Sequence, residues 1–542
     1  MVRRPALPGT LHAAFRLGRP ADTRRKAALS AVVAMAVPDA ALLAAGRLDL
    51  ALYTSAGALC ALYGHDRPYA GRARALALVV LGMTAGVGAA LGAAALTDSP
   101  AVLVLVAAAL AAVQKTVCDA ARTGPPGNVV LTFVSASACF VPQRAADLPL
   151  HLGLTLACGL WAWLVCMAPA LVRPHGPDRI AAARALEAAA RAVRADAADA
   201  PRARHAAWQA LLRAPAQVRA CVHDGLARLE PGAPCALGAP GGHDRPAAPD
   251  AAPAGAPGAV PAGAAEAGRW EAWARDLRKG RPLPVDAPAV PGPGALPPPP
   301  PRLRPHLPAG ARVLTGAALG GWASLACGAG HPYWAVVTAA SVVQAASVPS
   351  WHRALQRVLG NLLGVLLFAA LVPLVRTGAV AMVLTALALQ AGAEALISRN
   401  YWLGTVCVTP MALLLTEFGG SHPARELVGD RWTDTLVGAV TGLLACALVG
   451  NRRAAERVEA AVARVEGALA AALAVPDGTE GARDTARDRL AAALVELREA
   501  ADTAAGEWRR APAGEHVERA ERDGHRALAS LVRGRVPGGA AF

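Results

Sequence analysis

Twelve runs of apolar residues, six in each of two blocks, constrain this chain more than any other feature. The first block has runs at about 27–45, 49–63, 75–96, 101–118, 128–142 and 150–172. The second has runs at about 312–329, 332–347, 354–375, 378–397, 401–416 and 432–449. Crossing a bilayer takes ~20 apolar residues in a helix, and lipid tolerates no unpaired backbone, so such runs specify helices. Hydrophobic residues make up 54% and charged residues 17%, whereas an ordinary soluble domain is roughly 25% charged. The expected fold class is all-α: a polytopic membrane protein of about 12 transmembrane helices in two parallel six-helix repeats, with a cytoplasmic helical insert and tail.

In each block the second and fifth runs are the shortest and read as short or partly buried helices. That shared pattern suggests duplication. Weaker matches agree: Gly82 and Gly86 with Gly360 and Gly364, Gln114 and Asp119 with Gln390 and Glu394 (one residue out of step), Asn128 with Asn400. An even number of spans gives both blocks one orientation. The organisation is then a basic N-terminus (1–26), a first repeat (27–172), a linker (173–310), a second repeat (311–450) and a helical C-terminal domain (451–542).

Charge sets the orientation. The first 26 residues hold seven Lys/Arg and one acid, and no signal peptide cleavage is expected. Arg67, Arg72, Arg74, Lys115 and Arg122 lie on one side of the first block, against Arg47 and Arg144 on the other. Positive loops stay inside, so both termini and the linker are expected in the cytoplasm of a cell with this protein in its plasma (inner) membrane. The net charge of +15 accompanies only 4% aromatic residues and flanks apolar runs, so no nucleic-acid partner is expected.

The linker begins as Arg-rich amphipathic helix. It becomes Pro/Ala/Gly-rich over 231–268 and 282–308, expected to be extended or disordered. WEAWARDL at 270–277 is expected as one helical patch. In the tail, Val458, Val462, Val465, Leu469 and Leu473, then Leu490, Leu494 and Leu497, form the apolar stripe of a helical hairpin. Eight of ten cysteines lie in or beside apolar runs, Cys221 and Cys235 lie in the linker, and no C-x-x-C pair exists. No metal or cofactor is expected. Nucleotide-binding and catalytic motifs are absent, so neither an enzyme nor an ATP-driven pump is expected from this sequence.

The segment 330–364, GHPYWAVVTAASVVQAASVPSWHRALQRVLGNLLG, carries most of the chemistry. Tyr333 and Trp334 read as interfacial anchors or as an aromatic wall for a planar ligand. Thr338 and Gln344 can hydrogen-bond a substrate or a neighbouring helix. Arg353 and Arg357, four apart at the cytoplasmic end, can gather an anion or bind anionic lipid. Gly360 and Gly364 suit close helix packing, with Asn361 between them as buried glue. Glu394, with Gln390 a turn before it, is a proton-coupling candidate or half of an ion pair with Arg399 or Arg357. Asp119 is the second proton candidate, able to pair with Lys115. Asp39, beside Pro38, reads as wet.

HPYWAVVTAASVVQ, followed by R-x-x-x-R-x-x-G-x-x-x-G, resembles the fusaric acid resistance protein-like family, related to aromatic acid exporters. The specific likeness covers about 320–450, and the first block matches in layout. The resemblance implies proton-driven export of small, often aromatic, organic acids, and carries over to Tyr333, Trp334, Arg353, Arg357, Gly360 and Gly364. A passive organic-anion channel and a non-transporting scaffold remain as alternatives. Expected partners are a small organic anion and the lipid bilayer, with a homo-oligomer compatible. Only three of the 54 basic residues are Lys, a GC-rich coding bias; if it reflects a Gram-positive host, which has no outer membrane, the periplasmic adaptor of Gram-negative relatives is not expected.

Overall fold

A computed structural model describes Phe15 and residues 24–195, 200–215, 218–219, 222, 262–281, 303–417, 424–450, 453–475, 480–507 and 514–533. The basic N-terminus before Arg24, most of the Pro/Ala/Gly-rich linker, Cys221 and Cys235 lie outside them. The described residues contain helices and no strand. They form two compact units: Met1–Pro174 with Pro300–Arg453 and Gly506–Arg510, and His175–Pro299 with Ala454–Ala505 and Ala511–Phe542.

In the first unit, the first repeat comprises α1 (Arg24–Ala45), α2 (Ala51–Ala58, flanked by 3-10 turns), α3 (Tyr69–Leu96), α4 (Pro100–Ala120), α5 (Val129–Ala138) and α6 (Leu148–Met167). The second repeat comprises α10 (Leu307–Ala326), α11 (Tyr333–Val342), α12 (Ser347–Val375), α13 (Ala379–Ile397), α14 (Tyr401–Glu417) and α15 (Ala424–Leu448). Every apolar run holds a helix, and these helices differ in length. Among the described residues, six are long and apolar enough to cross a membrane: Lys26–Ala45, Tyr69–Leu96, Pro100–Ala120, Ala145–Val172, Ser347–Val375 and Ala379–Ile397. These make the chain a multi-pass membrane protein.

The shorter apolar helices are the second and fifth of each block: Leu48–Leu62, Val129–Ala138, Tyr333–Val342 and Tyr401–Leu415. At 10 residues each, α5 and α11 rise about 15 Å, half of a ~30 Å hydrocarbon layer. They survive because neighbours cover them, and every residue of α11 is buried. The two remaining positions, α10 and α15, are diluted by Gly310, Gly316, Gly320 and Gly321 and by Asp430, Arg431 and Asp434.

Packing partners repeat between the blocks. α2 packs on α6 as α11 on α15, α3 on α5 and α6 as α12 on α14 and α15, and α4 on α5 as α13 on α14. Contacts between blocks are reciprocal: α4 meets α10 while α13 meets α1, and α5 meets α11 while α14 meets α2. Residues Gly506 and Glu507 also belong to this unit. Arg312 grips the Glu507 carboxylate with Nη1 and Nη2 at 3.0 Å each, and Ser347 Oγ donates to it at 2.8 Å. Val348 N–H donates to Gly506 O at 3.0 Å.

The second unit comprises α7 (Gly176–Arg194), α8 (Ala200–Leu212), α9 (Ala262–Arg278), α16 (Arg453–Leu473), α17 (Glu480–Ala505) and α18 (Glu515–Arg533). The helical patch expected at 270–277 is longer, and its first turns correct part of the segment expected to be unstructured. Ala267, Trp270, Ala274 and Leu277, spaced three and four apart, are buried on the face α9 turns to α7. Of the tail stripe, Val458, Val462, Val465, Leu490, Leu494 and Leu497 are buried in the same core as α9, while Leu473 is exposed. The tail has a third described helix, α18, beyond the expected hairpin.

Candidate functional site

The short helix α11 is fixed at its start. Gly330 N–H donates to Asp430 Oδ2 at 3.0 Å, and His331 Nδ1 lies 2.8 Å from the same oxygen. This ties the entry of α11 to α15. Tyr333 and Trp334 then enter the core. Trp334 is 1% exposed; its ring stacks on Phe133 of α5 at 5.5 Å, and Tyr333 lies 5.8 Å from Phe140. Their reading as interfacial anchors is therefore corrected, because a ten-residue buried helix does not carry its first residues to lipid headgroups.

Over the Trp334 ring lies Arg431, its guanidinium carbon 3.8 Å from the ring centroid. Arg431 is 2% exposed. Its Nη2 donates to Asn361 Oδ1 at 3.3 Å, while Nε and Nη1 are buried without a hydrogen-bond partner. Asn361, on α12, joins three helices. Its Nδ2 donates to Thr435 Oγ1 of α15 at 3.0 Å, and its Oδ1 also accepts from Thr409 Oγ1 of α14. One turn from Arg431, Asp434 is fully buried. Its Oδ1 accepts from Ser324 Oγ of α10, and its Oδ2 has no partner. No ion pair joins Arg431 to Asp434 among the described residues.

Arg353 and Arg357 converge on Tyr401, the first residue of α14. Arg357 Nη1 donates to the Tyr401 hydroxyl at 2.9 Å, and the Arg353 guanidinium lies 3.8 Å over its ring. Arg357 is buried, with Nε unpartnered. Gly360 and Gly364 face α14 on the same helix. A Cβ would come within 2.6 Å of Thr405 Cβ at Gly360 and of Thr409 Cβ at Gly364. Close approach there lets Asn361 reach across to Thr409.

The other expected residues lie apart from this cluster or have different partners. Thr338 packs where a Cβ on Gly438 would sit, its hydroxyl buried without a partner. Gln344 Nε2 donates to Ser341 O and Val343 O, closing the end of α11. Gln390 is buried on α13. Glu394 is half-buried, and among the described residues it forms neither the ion pair with Arg399 nor one with Arg357. Asp119 pairs with Lys115 at 3.0 Å. Asp39, expected to be wet, is 2% exposed, because it faces the packed side of α1.

The sequence reading missed Arg431, Asp434, Tyr401 and Ser324. In R-W-T-D-T at 431–435 the spacing sets Arg431, Asp434 and Thr435 on one face once the segment is helical. In the first block, Tyr53 of α2 stacks on His151 of α6 at 3.8 Å, and a network of neutral groups joins α4 to α5: Asn128 Nδ2 donates to Thr132 Oγ1, Thr132 to Gln114 Oε1, and Gln114 Nε2 to Ser135 Oγ.

Two buried guanidinium groups with free N–H donors, one of them on an indole face, are costly in a low-dielectric core until an anion completes them. The unpartnered N–H groups of Arg431 and Arg357 are donors for charge-assisted hydrogen bonds.

No solved structure matches the chain. The uncharacterized membrane protein YvaC of Bacillus subtilis (strain 168) is 34% identical over 191 residues, which are 34% of this chain and 29% of that protein. The match thus spans under a third of that relative's length. The resemblance read from the sequence over about 320–450 is shown at residues 317–445, which hold this site and match the fusaric acid resistance protein-like family.

Proposed function

We propose that this protein is a secondary transporter that exports small aromatic or amphiphilic organic acids across the plasma membrane, coupled to the proton gradient. The observation that carries this reading is Arg431: a buried guanidinium on the Trp334 ring with two N–H groups unpartnered. A membrane core retains such a group for function rather than stability. The family name, fusaric acid resistance, supports an organic acid as cargo.

In this reading the cargo carboxylate meets Arg431 and its ring meets Trp334 and Tyr333. Arg357 and Arg353, joined through Tyr401, guide the anion toward them. Alternating access runs between the two repeats. Proton coupling falls to Glu394, which has no ion partner among the described residues, and to Asp434, whose Oδ2 is unpartnered. Asp119 is a weaker candidate because Lys115 already holds it. Both termini face the cytoplasm, as the seven Lys/Arg of the first 26 residues favour.

Flux of labelled benzoate and naphthoate in proteoliposomes, with and without an imposed pH gradient, tests this reading. Gradient-dependent accumulation, lost in Glu394→Gln or Asp434→Asn, is expected. Flux that runs only downhill and ignores the gradient would make the protein a channel. Absence of flux for every acid tried, with folded protein, would overturn transport of this class.

A further inference from the structure

The second unit contains a cavity of its own, about 490 Å³, between α8, α17 and α18. Small-molecule sites run from roughly 300 to 1,000 Å³. The floor is apolar: Trp208 from α8, with Leu494 and Val495 from α17. Trp208 and Leu494 are largely buried, so the floor is held by the core of the unit.

The rim is cationic. Arg204, Arg498, Arg522 and Arg526 line it, against Glu518 and Glu521. Two of the arginines are engaged. Arg498 Nη1 pairs with Glu521 at 3.1 Å, and Arg526 Nη1 lies 3.4 Å from Asp523. Arg204 and Arg522 have no ion-pair partner among the described residues, and both are exposed. Since Glu521 is occupied by Arg498, Glu518 is the one lining carboxylate left against two unpaired guanidinium groups.

His525 in the same wall reports the local field. Burial, reinforced by Arg204, His205 and Arg498, pushes its pKa down to about 4. The imidazole is neutral at pH 7, so it adds hydrogen-bonding capacity to the wall without adding charge.

This combination selects a class of ligand. An organic cation would meet Arg204 and Arg522. A neutral hydrocarbon would leave both guanidinium groups unused. Inorganic phosphate would leave the Trp208–Leu494–Val495 floor bare. A molecule with one carboxylate and a compact apolar body uses both features. We infer that the cavity between α8, α17 and α18 is a binding site for a small amphiphilic carboxylate, separate from the Arg431 site and independent of whether that site transports.

The test uses the full-length protein in detergent and equilibrium dialysis with radiolabelled 2-naphthoate. The neutral analogue 2-naphthalenemethanol is the control. The measurement is made in wild type and in Arg431→Gln, each with and without the pair Arg204→Glu and Arg522→Glu. Both rim arginines are exposed, so reversing them spares the core; unfolding curves verify this. The expected result is loss of one saturable naphthoate equivalent, or at least a tenfold rise in its Kd, on rim reversal in both backgrounds. 2-Naphthalenemethanol is expected to bind at least tenfold more weakly. Naphthoate binding indifferent to rim reversal, equal binding of the neutral analogue, or no saturable binding in Arg431→Gln would overturn the proposal. Because the lost equivalent is counted with Arg431 present and absent, failure of this site and failure of the transport reading give different results.

Discussion

At the scale of single residues, Asn361 holds the candidate site together. It uses both faces of its amide, toward Thr435 on one side and toward Thr409 and Arg431 on the other. Asn361→Leu strands those groups in the core, at about 1–3 kcal/mol for a buried polar group left unmade. A lower unfolding temperature in detergent is the expected readout. The sequence marked Asn361 through its place between Gly360 and Gly364, but concealed Arg431. Beside Asp430, Arg431 looks like loop charge at a membrane edge, and only the helix starting at Ala424 places it inside. His525 gives a second prediction. Its folded pKa of about 4 lies below its ordinary 6.5, so between these values the unfolded chain binds the proton that the folded chain refuses. The His525 contribution is complete above pH 6.5 and is lost as pH falls toward 4. Unfolding midpoints measured across that window should fall with acid in wild type and fall less in His525→Leu.

At the scale of elements, glycine contacts separate structural positions from tolerant ones. Gly364 lies against Thr409, where an added Cβ would overlap at 2.6 Å, whereas Gly82 in the first repeat has nothing within 4 Å. Gly364→Val should therefore separate α12 from α14 and lower the yield of folded protein, while Gly82→Ala leaves it unchanged; size-exclusion profiles after extraction measure both. Sequence alone pairs Gly82 and Gly86 with Gly360 and Gly364. Contacts preserve that likeness only at Gly86, where a Cβ would meet Ser135 Oγ at 2.7 Å. Helix positions were legible because every apolar run needs hydrogen-bonded backbone in lipid. The second and fifth runs already read as short, but run length measures hydrophobicity and not how far neighbours bury a helix such as α11.

For the whole molecule, the two blocks pack through corresponding pairs of helices, and Arg431 and Asp434 lie in the second block. Gly506 and Glu507 close that block at the start of α12, the helix that also carries Arg353, Arg357 and Asn361. The Arg312–Glu507 pair has side chains 1% and 10% exposed. Breaking a buried pair from one side costs about 3–5 kcal/mol, whereas replacing both partners with apolar residues is often neutral. Glu507→Gln should lower the unfolding temperature markedly, and Arg312→Leu with Glu507→Leu should recover much of the loss. This contact was invisible in sequence, because 195 residues separate the partners and no local pattern links them.

The central claim is that Arg431, on the face of Trp334, binds the transported anion. Initial rates of naphthoate flux in proteoliposomes test it most directly, comparing wild type with Arg431→Gln and with Arg376→Gln, which alters an exposed loop. Loss of a charge-assisted contact worth about 1.5–3 kcal/mol corresponds to roughly 10- to 100-fold. The account predicts a fall of that size in Arg431→Gln and wild-type rates in Arg376→Gln. Equal naphthoate flux through wild type and folded Arg431→Gln would contradict it.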